Sequence, residues 1–155
     1  MDEDRTAGPE VASDAACERI RASFDRQGLM SHLGARITHI GPGRVHLAPP
    51  SRPEVSQQHG YVHAGATSAI ADTAGGYAAL TVFPEGSEVL TVEYKINLLA
   101  PALGDHLEAI GVVVRSGRTL TVRQLEVHGV REGDGPRRLV ATGQQTLIRL
   151  DAAAQ

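Results

Sequence analysis

The sequence predicts an α+β protein in which a curved antiparallel β-sheet wraps around one central α-helix. Three observations carry this. The stretch "HAGATSAIADTAGGYAAL" (63–80) reads as a helix built from small residues, and Pro84 in "FPEG" cannot continue it. Four strand-like runs follow it, "EVLTVEYKINLL", "HLEAIGVVVRSG", "LTVRQLEVHGV" and "RRLVATGQQTLIRL", joined by the short turn-rich linkers "APALGD", "SGR" and "REGDGP". Antiparallel strands so joined need a cover for one apolar face, and small side chains let a curved sheet approach a helix closely.

From the N-terminus, residues 1–12 read as a solvated tail. In "SDAACERIRASFDRQ" (13–27), Ala16, Ile20 and Phe24 form one apolar stripe, Ser13 or Asp14 can cap the start, and Gly28 follows the end. This predicts a short amphipathic helix, so residues 1–30 divide into tail and helix, ahead of a main domain at 31–150. "LGARITHIG" and "RVHLAPP" alternate around "GPG" (41–43) and predict a hairpin. "PPSRPEVSQQHGY" has no periodicity and is loop, and the tail "DAAAQ" is expected to fray.

Composition narrows the function classes. The chain has 155 residues, 41% hydrophobic and 21% charged, enough for one domain with a core. Aromatics are 3%, with no Trp, so the core is aliphatic. A net charge of -3 implies no broad basic face and argues against a nucleic-acid partner. Cys17 is the single cysteine, which excludes an internal disulfide and a cysteine-rich metal site. The seven histidines are scattered without ligand spacing, so no metal or other cofactor is implied. "MDEDRTAGPE" is not a targeting signal and no apolar run reaches membrane-spanning length, so a cytoplasmic protein without a membrane partner is expected.

Asp72 is the anomaly of the central helix. Aspartate disfavours helix interiors, and its neighbours at i±3, i±4 and i±7 are Gly65, Ser68, Ala69, Gly75, Gly76 and Ala79. A solvated face normally carries Lys, Glu, Arg or Gln, and this one has none. Either Asp72 simply points to solvent, or a ligand or second chain approaches there. Upstream, in "QQHGYVHAG", Gly60 permits a tight turn and His63 stands at the start of the helix. The first-turn N–H groups of Ala64 and Gly65 lack intrahelical acceptors and suit a developing oxyanion, to which Gln57 can add its amide. His59 and His63 have a plainer alternative, bonding loop carbonyls. At 1.5 Å rise per residue, Ala64 and Asp72 lie ~12 Å apart along one helix. Both must come within ~3 Å of one carbonyl group to act on it together. If they do, the carboxylate comes from a second copy, its helix antiparallel beside the first, in a two-fold dimer.

The motif "HGYVHAGATSAIADTAGGYAA", with its helix and curved sheet, resembles the hotdog-fold thioesterases of the phenylacetic-acid-degradation (PaaI-like) type, which include acyl-CoA thioesterase 13-like and 4-hydroxybenzoyl-CoA-type enzymes. The resemblance runs from about Leu33 to Leu150. It implies an acyl-CoA thioester hydrolase. Gln57 falls on the amide position, Gly60 on the glycine, His63 on the motif histidine, Ala64 on the residue whose N–H polarises the carbonyl, and Asp72 on the catalytic acid. Gly65 completes a His-Ala-Gly in place of the usual His-Gly-Gly, which keeps the N–H and adds a methyl bearing on substrate choice. Thr91 falls where relatives carry a water-orienting Ser or Thr. Leu98, Leu99, Ala100 and Pro101 match one segment bordering coenzyme A. Arg115, Ser116, Gly117 and Arg118 match another, its arginines available to phosphates or merely part of a charged turn. The resemblance implies at least a homodimer, and commonly a homotetramer.

Two other readings stand beside hydrolysis. A hotdog hydratase or dehydratase pairs a histidine with an acid, and His63 is the nearby candidate, although the motif is not that of dehydratases. A non-catalytic acyl-CoA-binding protein usually carries a DNA-binding domain, for which residues 1–30 are too short and too acidic.

Overall fold

The computed structural model describes residues 11–133 and 135–151. The predicted tail and the frayed C-terminal end therefore fall largely outside the described residues.

Helix α1 (Asp14–Phe24) starts at Ser13, whose side chain accepts the N–H of Ala16, and it buries Ile20 and Phe24, two residues of the predicted stripe. It ends earlier than the sequence suggested. Gly28 opens a second helix, α2 (Gly28–Leu33), instead of stopping the first. Gly34, at φ 66°, closes α2 in the left-handed conformation that glycine adopts without strain. Leu33, expected at the head of a strand, is thus the last residue of this helix.

Strands β1 (Arg36–Gly41) and β2 (Arg44–Ala48) form the hairpin around Pro42 and Gly43, with Gly43 at φ 68°. The loop beyond contains one turn of 3-10 helix at Pro53–Val55. Helix α3 (Ala64–Leu80) is the small-residue helix, and His63 caps it. Then come β3 (Ser87–Leu98), β4 (His106–Ser116), β5 (Leu120–Val130) and β6 (Arg138–Asp151). The six strands form one antiparallel sheet in the order β1-β2-β4-β5-β6-β3.

Helix α3 buries Ile70, Ala74 and Ala78 against inward residues of the sheet, among them Val45, Leu47, Leu107, Leu125, Val127 and Leu147. The approach is closest at β4. A Cβ on Gly111 would lie 2.5 Å from the backbone of Ala74 and Gly75, so only glycine permits it. Helix α1 packs on the far end of α3, where the Phe24 and Tyr77 rings meet edge-on at 6.0 Å and Arg19 Nη2 donates to the Leu80 carbonyl at 2.8 Å. This is the curved antiparallel sheet around a central helix, the hotdog arrangement, that the sequence predicts. The two edges of the sheet differ. β1 is short, bulged, and met by the N–H of Ala12 bonding to Ile40 O. β3 has twelve residues and exposes Leu90, Val92, Tyr94 and Leu98.

Candidate functional site

The loop before α3 is built to present donors. Gln57 N–H bonds to Tyr61 O at 2.8 Å and Gly60 N–H to Gln57 O at 3.0 Å, with Gly60 at φ 82° turning the chain. The Gln57 side-chain oxygen accepts the N–H groups of His59 and Tyr61, which leaves its amide nitrogen as the outward donor. Val62 N–H to Ala102 O and His63 N–H to Val55 O moor the loop on both sides. His63 Nδ1 accepts the Gly65 N–H at 2.8 Å, so the ring carries its proton on Nε2 and serves as the helix cap. A Cβ on residue 65 would lie 3.0 Å from that nitrogen, which explains the glycine of His-Ala-Gly. Gly65 N–H is thereby spent. The Ala64 N–H has no acceptor among the described residues and is the donor left at the helix start. A cavity of about 230 Å³ opens here, lined by Gln57, Ala64, Thr67, Leu98, Ala100 and Pro101.

Asp72 occupies a different cavity, of about 210 Å³, with Thr73, Tyr77 and Thr91, and with Ser23 of α1 and Gln27 just beyond it. Tyr77 Oη holds these last two, Gln27 Nε2 at 2.8 Å and Ser23 Oγ at 3.1 Å, so the N-terminal helix borders the Asp72 cavity. Thr91 Oγ1 donates to Asp72 Oδ1 at 2.7 Å. Gln145 Nε2 donates to the same oxygen and to the Asp72 carbonyl at 3.0 Å, and its Oε1 accepts Arg123 Nε at 3.1 Å. Arg123 and Gln145 are register partners on β5 and β6, both fully buried. Burial pulls the Arg123 guanidinium down to about 10, while the nearby Asp72 charge opposes the drop. Gly75 clears room for this cluster, since a Cβ there would lie 2.1 Å from Gln145 Oε1 and 2.8 Å from Leu125 Cδ2.

The sequence-predicted residues thus fall into two groups. Gln57, Ala64, Leu98, Ala100 and Pro101 share one cavity, and Asp72 and Thr91 share the other. Leu99 is exposed beside the first group. Arg115, Ser116, Gly117 and Arg118 lie exposed around the β4–β5 turn, free of ion pairs among the described residues. Ser116 pairs with Thr121, Thr121 with Leu147, and Leu147 with Thr91, which puts that turn at the Asp72 end of the sheet. Leu98 lies farther along β3, roughly 20 Å from Thr91 at about 3.3 Å per residue. Within one chain, therefore, the two segments that the resemblance assigns to coenzyme A are not brought together. Sequence reasoning missed Arg123 and Gln145. Their signal was a charged residue at an inward phase of β5, between Thr121 and Leu125, opposite a polar one in phase with Leu147.

Among the described residues no three His, Cys, Asp or Glu side chains converge as metal ligands, and no helix is long and apolar enough to cross a membrane.

A hotdog fold with a cavity-lining carboxylate and a donor-bearing helix start defines the class of protein. The sequence pattern of the thioesterase superfamily matches residues 59–134, which include His63, Ala64, Asp72 and Thr91. A protein of Halobacterium salinarum that carries an esterase name is 32% identical over 120 residues, 74% of this chain and 79% of the relative. The crystal structure of a thioesterase family protein from Silicibacter pomeroyi superposes with a TM-score of 0.84 at 44% identity, covering 88% of this chain and 98% of that one. PaaI of the phenylacetic acid degradation operon of E. coli superposes at 0.79 over 90% of this chain and 96% of its own, and at 22% identity speaks for the fold alone. The chain belongs to the thioesterase superfamily.

Proposed function

We propose that this protein hydrolyses an acyl-CoA thioester to the free acid and coenzyme A, in a site shared between two copies of the chain. The observation that carries the reading is the separation of the two half-sites. The donors at Gln57 and Ala64 line one cavity, and the carboxylate of Asp72 lines another. Antiparallel pairing of two β3 edges lays the Leu98 end of one strand beside the Thr91 end of the other. It thereby carries each Asp72 toward its neighbour's Gln57 and Ala64, and each Arg115–Arg118 turn toward the neighbour's Leu98–Pro101 segment. The long β3 edge, with no strand outside it among the described residues and with Leu90, Val92, Tyr94 and Leu98 exposed along it, suits such a partner.

In this site the thioester oxygen receives the Ala64 N–H and the Gln57 amide, donors already aimed by the turn and the helix start. The partner's Asp72 either takes a proton from the attacking water or adds to the carbonyl itself. His63 is occupied as a cap, which disfavours the hydratase reading.

Free-thiol release from short, long and aryl acyl-CoAs tests the activity. Asp72→Asn is expected to abolish turnover and spare coenzyme A binding. Mixing it with Gln57→Ala, after subunit exchange, tests the sharing. Each mixed dimer regains one intact site, so activity returns to about a quarter of wild type for two-fold pairing. No recovery places both groups on one chain and refutes the shared site. Near-normal hydrolysis by Asp72→Asn refutes the assignment itself.

A further inference from the structure

Asp72 is held from behind by two residues that line neither cavity and lie outside the motif on α3. A guanidinium can only donate, so Arg123 Nε, 3.1 Å from Gln145 Oε1, settles which end of the amide faces it. Gln145 Nε2 must then face the other way, onto Asp72. Its two hydrogens go to Asp72 Oδ1 and to the Asp72 carbonyl, and Thr91 Oγ1 stands 3.2 Å off. The single hydroxyl hydrogen of Thr91 also goes to Oδ1. One carboxylate oxygen thus receives two donors, while Oδ2 has no partner among the described residues and belongs to a group that lines the cavity.

We infer that Arg123 and Gln145 are positioning residues for hydrolysis, which orient the Asp72 carboxylate by its Oδ1 and reserve Oδ2 for the thioester carbon or its attacking water. This rests on the reading of Asp72 as the catalytic acid. Packing alone does not account for Arg123. Its Nη1 and Nη2 are buried without a partner among the described residues, an arrangement that an apolar side chain of similar length avoids altogether. Nor does it neutralise a carboxylate in direct contact, since its one hydrogen bond is spent on the amide. The arrangement is also enabled locally, because Gly75 leaves the gap between α3 and β6 that the amide fills.

The test replaces Gln145 with Met, which keeps length and burial and removes both donors. Turnover is measured against acyl-CoA with thermal melting alongside. The expected result is a fall in kcat of tenfold or more, KM within twofold, and a folded protein. Arg123→Lys and Arg123→Met form a second pair matched in volume. The ammonium of Lys can still donate to Gln145 Oε1, so Arg123→Lys keeps at least a third of kcat while Arg123→Met loses tenfold. If Met at 145 unfolds the chain, this pair decides. Equal kcat in the Lys and Met variants, or wild-type kcat in Gln145→Met, overturns the inference. If Asp72→Asn is inactive in the same series, the proposed function survives that failure. If Asp72→Asn is active, the function reading falls and takes this inference with it.

Discussion

Replacing Gly75 with Ala is the sharpest single probe of how α3 meets the sheet. At an ordinary helical position the change stabilises by about 1 kcal/mol, since glycine is the poorer helix former. Here the new methyl would lie 2.1 Å from Gln145 Oε1 and 2.8 Å from Leu125 Cδ2. Forcing it in costs about 1–3 kcal/mol in overpacking. Gln145 must also swing away from Arg123, which strips the buried guanidinium of its one acceptor for about 1–3 kcal/mol more. The expected net loss is about 3 kcal/mol, or roughly 6–12 °C in Tm for a domain of this size. Gly76 is the control. A Cβ there meets nothing nearer than Val89 Cγ2 at 4.0 Å, so Gly76→Ala should hold or raise Tm in the same scan. Thermal unfolding followed by circular dichroism reads both variants, and thiol release reads their activity. A Gly75→Ala protein that melts with or above wild type and hydrolyses at its rate would show that the packing of Gln145 under α3 is not as argued.

Thr91→Val removes the hydroxyl that donates to Asp72 Oδ1 at 2.7 Å; a hydrogen bond to a charged group is worth about 1.5–3 kcal/mol, so kcat should fall about tenfold or more in a steady-state assay. Tyr94→Glu, at a 47% exposed position in the middle of β3, sets like charges together wherever two β3 edges pair, so analytical ultracentrifugation should show smaller species with activity lost in parallel. A pH effect follows from His46, whose pKa is lowered by burial and then by Arg44, against the pull of Glu108. Arg44 Nε donates to His46 Nε2 at 2.8 Å, so the folded ring is neutral and Nδ1–H faces Glu108. With the folded pKa below the unfolded value of about 6.5, the unfolded chain takes up this proton first. That share of stability is complete above about pH 6.5 and is lost as pH falls through the folded value. Urea unfolding at pH 7.5 and 5.5 should therefore show a smaller drop for His46→Gln than for wild type; an equal drop would remove His46 from the account.

What the sequence disclosed depended on period and on punctuation. The hairpin at 36–48 and the four later strands alternate cleanly between short turns, and α3 begins and ends within a residue of where its composition points. Helix α2 escaped because six residues carry no measurable period and Gly28, which opens it, reads equally well as a stop. The separation of Ala64 from Asp72 was legible from helix rise alone. Their supports were not, because tracing apolar alternation along a strand passes over a polar residue in the same phase, as at Arg123 and Gln145. In the sequence, the small neighbours of Asp72 leave room for solvent, a ligand or a second chain. Gly65 and Gly75 instead make room inside their own chain, for the ring of His63 and the amide of Gln145, and Gly76 alone of the three keeps an open approach.

The unequal edges of the sheet carry a consequence for growth. On one flank the Ala12 N–H already occupies the Ile40 carbonyl and a bulge disturbs the short β1, while on the opposite flank the twelve-residue β3, paired with β6 on its inner side, has no strand on its outer side among the described residues. Ribbons that lengthen without limit need a sticky margin on both sides of every unit. Among the described residues only β3 offers such a margin, so edge-to-edge pairing of two copies would close on itself and leave any larger assembly to other faces of the molecule.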